Sequence, residues 1–440
     1  MLTAVNLIVV VLLCATTALA SHLGVACFHD GIRPVMPEYL EGRLSRPQMA
    51  SIAFGMSVGF IASVGISLTM TTNLLNPWLL FLTTDILGVI SPKKWVAPIL
   101  GGAWGALCLT ALTGINTALT FLPVDLIGAM GVLQTYVVTG FSLFPIVAVF
   151  MQFGKKQGFI SAVVVILARI GGPKLVALLT DKVAFSEDAW TMFIGVILLV
   201  GFAIAKDNKT KHERSKEEAE QLTNVFSERV LRIKKNLPLL MIGAALIAIA
   251  ANIRIFAGSY ASVYQLAEAY AGSPNAASLI REAALNEFMR GLGFIPLIAT
   301  TAITTGVYGV AGYTFVYCIG YIMPNPLLAA VVGAAVMFVE VILLTFIGKF
   351  LGKYPSMRDA SDNIRSSMGI CVELALLIGS MNACITMGGA TGFFIGATIY
   401  FINEYTGKKI MKMAIGPVAA IGTGLILNLL TVVGLFTPLA

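Results

Sequence analysis

Three acidic residues stand inside runs that are otherwise apolar: Asp85 in LLFLTTDILGVI, Glu340 in VVGAAVMFVEVILL and Glu373 in GICVELALLIG. A charge at the centre of a membrane helix costs about 2.5–3.5 kcal/mol on insertion scales. Protonating a carboxyl with a reference pKa near 4 costs about 4 kcal/mol at pH 7. The two costs are comparable, so such a group passes readily between a paired, ionised state and a neutral one. That is the chemistry of ion coupling, with a proton or sodium as the coupling ion and Asp85, Glu373 and Glu340 as candidates. A hydrogen bond to a neighbouring helix is the alternative reading for each.

A second group of candidates could hold a solute. Gly379 to Thr398 reads GSMNACITMGGATGFFIGAT, too apolar for a surface loop and too rich in glycine for an ordinary helix. Gly388, Gly392 and Gly396 recur every fourth residue, the spacing that lets membrane helices approach closely. Ser380, Asn382, Thr386, Gly388, Gly389 and Thr391 offer uncharged hydrogen-bonding groups there, or else bond back onto their own helix. Gln152 precedes a second glycine turn at Gly154, and Thr71 and Thr305 end two threonine-rich runs. Arg290, beside Gly291 and Gly293, could clamp a carboxylate or phosphate with its planar fork, or snorkel to the headgroups. Arg169 precedes Gly171-Gly172-Pro173, which should break its helix.

The elements that must position these residues are membrane helices. Of 440 residues, 58% are hydrophobic and only 12% charged, the composition of an all-α polytopic membrane protein. Runs of span length fall near 4–27, 49–70, 76–90, 95–115, 131–152, 157–178 and 189–205. After a charged stretch they resume near 237–257, 286–304, 307–323, 326–348, 367–386, 391–403 and 414–437. That makes about 14 transmembrane or re-entrant segments, with 76–90 and 391–403 short enough to be re-entrant. The net charge of +7 could suggest nucleic acid, but the basic residues sit in short loops between segments. Of the 29 Lys and Arg, Arg169, Lys174, Arg254 and Arg290 fall in or at the ends of segments, and Lys182 and Arg281 in outside loops. All the others fall in loops on one side, which the positive-inside rule makes cytoplasmic. Both termini are then periplasmic and the central loop cytoplasmic.

The halves align on each other without a gap at an offset of 234 residues. Gly59-Phe60-Ile61 meets Gly293-Phe294-Ile295, Pro92 meets Pro326, and Gly154, Gly158 and Phe159 meet Gly388, Gly392 and Phe393. Seven segments per half is an odd number, so the repeats (1–205 and 237–440, joined by a cytoplasmic linker at 206–236) would have inverted topology. Secondary transporters are often built this way, with the solute site where the repeats meet. The two glycine turns would enter from opposite faces, as the gates of an elevator-type carrier do.

Other features narrow the class. The apolar N-terminus lacks the basic region of a secretory signal and reads as a retained first helix. Six cysteines show neither CxxC nor metal spacing, and the three histidines do not cluster. With no GxxxxGK[ST] and no HExxH, the sequence predicts no enzyme, no metal and no cofactor. Lys206 to Asn236 contains a helical stretch at 213–235 and reads as a solvated connector; Tyr260 to Ala284 reads as a long external loop.

Asp30-Gly31-Ile32-Arg33-Pro34, the Gly-Phe-Ile segment and the GGATGFF of residues 388–394 together resemble the YhfT-like family of bacterial inner-membrane proteins. The resemblance covers essentially the whole chain, implies a transporter-like protein and brings no site residues. The sequence thus predicts a proton- or sodium-coupled secondary carrier of a small polar solute, homodimeric in lipid and without nucleic-acid partners. The membrane subunit of a phosphotransferase-type sugar system is the alternative, and a channel a more distant one.

Overall fold

A computed structural model describes residues 3–29, 31–33, 35–179, 187–210, 216–309, 313–351 and 353–439. Asp30, Pro34, Lys182 and His212 lie outside the described residues. The first half runs α1 (Ala4–His22), strand β1 (Ala26–Cys27), α2 (Met36–Leu40) and α3 (Arg46–Phe60), which continues through a π-helical turn, Ile61–Ile66, into α4 (Ser67–Thr72). It goes on through α5 (Pro77–Ile90), α6 (Val96–Thr120), α7 (Leu126–Phe141), α8 (Phe144–Phe153), α9 (Lys155–Leu179) and α10 (Glu187–Lys209). The second half runs α11 (Lys216–Lys235), α12 (Leu237–Asn252), α13 (Val263–Tyr270), α14 (Ala276–Thr305), strand β2 (Tyr308–Gly309), α15 (Thr314–Ile322), α16 (Pro326–Leu351), α17 (Ser356–Tyr405) and α18 (Lys412–Val432).

Local chemistry fixes several of these boundaries. Asn76 caps α5 by accepting from the Leu79 amide at 3.1 Å, with Pro77 next to it where no amide donor is needed. Asp125 caps α7 through the Gly128 amide at 2.8 Å. Asn73 ends α4 in the left-handed conformation (φ 56°), and Gly306 ends α14 in the same way (φ 71°).

Seven helices are long and apolar enough to cross a membrane, or up to ten if each bent pair counts as one span. The fourteen runs of the sequence divide differently because length and straightness are not the same property. The runs at 49–70 and 286–304 are bent, by 47° between Arg46–Phe60 and Val64–Thr72 and by 50° between Ala276–Leu292 and Leu297–Thr305. The runs at 76–90 and 307–323 form short helices, α5 and α15. Helix α9 runs unbroken past Gly171-Gly172 with Pro173 inside it, contrary to the break expected there. Arg169 is held from outside that helix, by Asp188 at 2.8 Å and Glu187 at 3.3 Å on α10.

The two runs at 367–386 and 391–403 lie in α17, but α17 is not straight. Gly388 (φ −151°, ψ 20°) and Gly389 (φ 57°, ψ −136°) leave helical geometry. A Cβ on Gly392 would stand 2.0 Å from the Cys384 carbonyl oxygen. In a straight helix those residues are about 12 Å apart, so the chain reverses at Gly388-Gly389 and its two arms pack face to face. Gly154 (φ 81°) does the same between α8 and α9, where a Cβ on Gly158 would meet the Phe150 ring at 2.2 Å. The small-residue spacing read from the sequence is therefore the inner face of two helical hairpins.

Extended segments link the halves reciprocally. β1 pairs in parallel with β2, Ala26 opposite Tyr308. Leu75, between α4 and α5, forms a parallel bridge with Phe256, after α12. The Leu75 amide donates to the Ile255 carbonyl at 3.0 Å and the Ala257 amide to the Leu75 carbonyl at 2.9 Å. The charged connector is also tied down: Val230 and Ile233 of α11 are buried, and Arg232 Nη2 donates to the Gly24 carbonyl at 3.0 Å.

Candidate functional site

A cavity opens where the two bends and the two extended segments converge. Its empty space is about 690 Å³ including the mouth. Phe60 lines it from the bend after α3, and Phe294 from the bend of α14. Phe28 and His29 enter from the chain after β1, Tyr260 from the chain after α12, and Trp78 and Leu82 from α5. Val138 and Phe141 of α7 and Met192 of α10 close the wall, and Arg290 supplies the charged group. The rings brace one another: Trp78 meets Phe28 edge-on at 6.0 Å, and Phe60 meets Phe141 at 5.8 Å and His29 at 5.8 Å.

Arg290 is buried rather than snorkelling. Its Nε donates to Glu287 Oε2 at 3.1 Å and its Nη2 to Thr314 Oγ1 at 3.2 Å, while the guanidinium lies 5.0 Å from the Phe294 ring centre. Nη1 makes no hydrogen bond among the described residues. Glu287 is fully buried, and its Oε1 accepts from Ser259 Oγ and, at 2.9 Å, from Ser262 Oγ. Tyr321 extends the network, accepting from the Gly258 amide at 2.5 Å and lying 3.2 Å from Ser262 Oγ. A buried charge needs such a set of partners. The stretch from Tyr260 read as an external loop therefore begins inside the protein, against the charge pair.

Asp85 does not line the cavity but positions two residues that do. Its Oδ2 accepts from the backbone amides of Phe28 at 2.8 Å and His29 at 2.9 Å. His29 Nδ1 accepts from the Gly31 amide at 2.9 Å, so Nε2 carries the proton and donates to the Met56 carbonyl at 3.1 Å. The segment after β1 is thus pinned at three points.

The remaining sequence candidates lie elsewhere. Glu340 on α16 accepts from the Tyr308 hydroxyl at 2.5 Å through Oε2, while Oε1 is buried without a partner. Arg33, fully buried, lies against β2, with a Cβ on Gly309 falling 2.7 Å from its guanidinium carbon. Glu373 pairs with Lys412 at 3.2 Å, both half-exposed. Thr71 and Thr305 donate to carbonyls of their own helices, and so do Asn382 and Thr386. Ser380 is buried beside Gly416 with no partner for its hydroxyl, and Thr391 is exposed just past the reversal at Gly388 and Gly389. Gln152, at the other hairpin tip, donates to the Ser356 carbonyl at 2.8 Å. Ser356 begins α17 and Gly388 ends its first arm, a separation of about 48 Å at about 1.5 Å per residue. Of the candidates named from sequence, Arg290 alone reaches the cavity. Its partner Glu287 was legible as an acid three residues before an arginine, one helical turn away. The aromatic lining had one signal, the repeated Gly-Phe-Ile.

Helices make up this fold, several of them long, apolar and able to span a bilayer, and its polar network is buried between them: it is an all-α, multi-pass membrane protein. The chain belongs to the YhfT family, described as proteins of unknown function, whose model matches residues 6–436. It is similar to the uncharacterised protein YhfT of Escherichia coli K12, with 50% identity over 437 residues covering 99% of each chain. No solved structure matches the chain.

Proposed function

We propose that this protein is a secondary active transporter that carries a small solute with a polar group across the bacterial inner membrane, driven by a proton or sodium gradient. The observation that carries the reading is the cavity: Phe60 and Phe294, 234 residues apart, line it from the two bent helices. Broken helices at the meeting of two repeats are where secondary carriers hold their solute. In this reading residues 1–205 and 237–440 are inverted repeats and 206–236 the cytoplasmic linker. The reciprocal strand pairings and the hairpin tips at opposite ends of the first arm of α17 support it. The hairpins are the gates of an elevator-type movement, the functional unit is a homodimer, and both termini are periplasmic.

Purified protein in liposomes, given a bacterial metabolite extract and an imposed pH or sodium gradient, tests the reading. One solute should accumulate, saturably and only with the gradient. Flux that never saturates, or accumulation independent of every gradient, would overturn it.

A further inference from the structure

The lining of the cavity specifies what it accepts, given the carrier reading on which this inference rests. Very few polar groups face the space. Both ring nitrogens of His29 are occupied by the Gly31 amide and the Met56 carbonyl. Two nitrogens of Arg290 are occupied by Glu287 and Thr314, which leaves Nη1. A sugar or a zwitterionic amino acid would bury several donors and acceptors against rings that cannot answer them, and each unanswered group costs free energy. A flat, apolar body suffers no such loss between Trp78, Phe28 and Phe60, because ring faces and edges complement one another.

The charge at the cavity wall has a sign. Glu287 lies on the far side of the guanidinium and its oxygens are taken up by Ser259, Ser262 and Arg290. The cavity therefore meets the positive end of the pair. A guanidinium fork matches a carboxylate, whereas an ammonium ligand would meet like charge.

We propose that the cavity takes a planar, mainly apolar organic anion, an aromatic or heteroaromatic carboxylate, with its ring among Trp78, Phe28 and Phe60 and its carboxylate on Arg290 Nη1.

Thermal unfolding of the full-length protein in non-ionic detergent tests this with benzoate, benzamide, benzylamine and cyclohexanecarboxylate as probes. Benzoate should raise the unfolding midpoint saturably, benzamide and cyclohexanecarboxylate should bind at least tenfold more weakly, and benzylamine should give no shift. Arg290→Lys keeps a cation beside Glu287 but removes the fork, and should weaken benzoate at least tenfold. Trp78→Leu leaves the charge pair untouched, so it keeps the test sound if the arginine variant does not fold. It should erase the preference for benzoate over cyclohexanecarboxylate. Equal shifts from acid and amine, or from planar and saturated acids, would overturn the proposal. So would benzoate binding that survives in Trp78→Leu with its planar preference intact. Benzoate binding without flux in liposomes would leave the ligand class standing and remove the carrier. Gradient-driven flux of another solute that benzoate does not inhibit would do the reverse.

Discussion

Phe60 and Phe294 occupy matched places in the two halves and face the same cavity, each from the bend of a broken helix. The equivalence gives a first prediction. Phe60→Leu and Phe294→Leu should lower gradient-driven uptake by similar factors, within about threefold of each other. Uptake assays on both variants check this, and a large effect at one site with none at the other counts against the repeat.

Glu287 and Arg290 form a buried pair, and removing one member of such a pair costs about 3–5 kcal/mol because the other is left uncompensated. Glu287→Gln should therefore lower the unfolding midpoint strongly. The double variant Glu287→Gln/Arg290→Gln should recover part of the loss. A double-mutant cycle reads the coupling directly; additive losses would mean that the two charges do not depend on each other.

Asp85 holds the backbone of Phe28 and His29. Hydrogen bonds to a charged group contribute about 1.5–3 kcal/mol each. Asp85→Asn should lower the unfolding midpoint and weaken uptake together, without altering how uptake responds to pH. A variant of unchanged stability whose uptake no longer depends on pH would return Asp85 to an ion-coupling role.

The two glycine tips are expected on opposite faces of the membrane. All six cysteines are buried and free, so new surface thiols can be labelled selectively. Lys155→Cys should react with an impermeant maleimide from the cytoplasm and Ala390→Cys from the periplasm. Labelling of both from one face would rule out the inverted arrangement.

The hairpin of α17 depends on a position without a side chain. Gly392→Ala places a methyl group against the Cys384 carbonyl, where Gly131→Ala meets nothing within 4 Å. The first should lower the unfolding midpoint clearly. The second should leave it unchanged or raise it, since alanine is favoured over glycine within a helix by about 1 kcal/mol. Equal effects would mean that the arms do not touch.

Composition and spacing alone determined that this chain is an α-helical membrane protein, because apolar run length reports directly on bilayer thickness. The offset of 234 residues also brought out the positions that matter most, Gly154 with Gly388 and Phe60 with Phe294, because glycine and bend residues are constrained locally by backbone geometry. Arg290 was legible for a similar reason, as a charge at the edge of an apolar run. What the sequence could not decide was which polar groups are available to a solute. Thr71, Thr305, Asn382 and Thr386 look like solute contacts until their own helices are seen to take their donors. Asp85 looks like a buried charge awaiting an ion until two amides more than fifty residues earlier are found on it. Only tertiary structure settles such questions. A hydrogen bond is satisfied by whatever lies within about 3 Å, and for His29, Glu287 and the rings around Trp78 those neighbours come from parts of the chain that no local pattern connects.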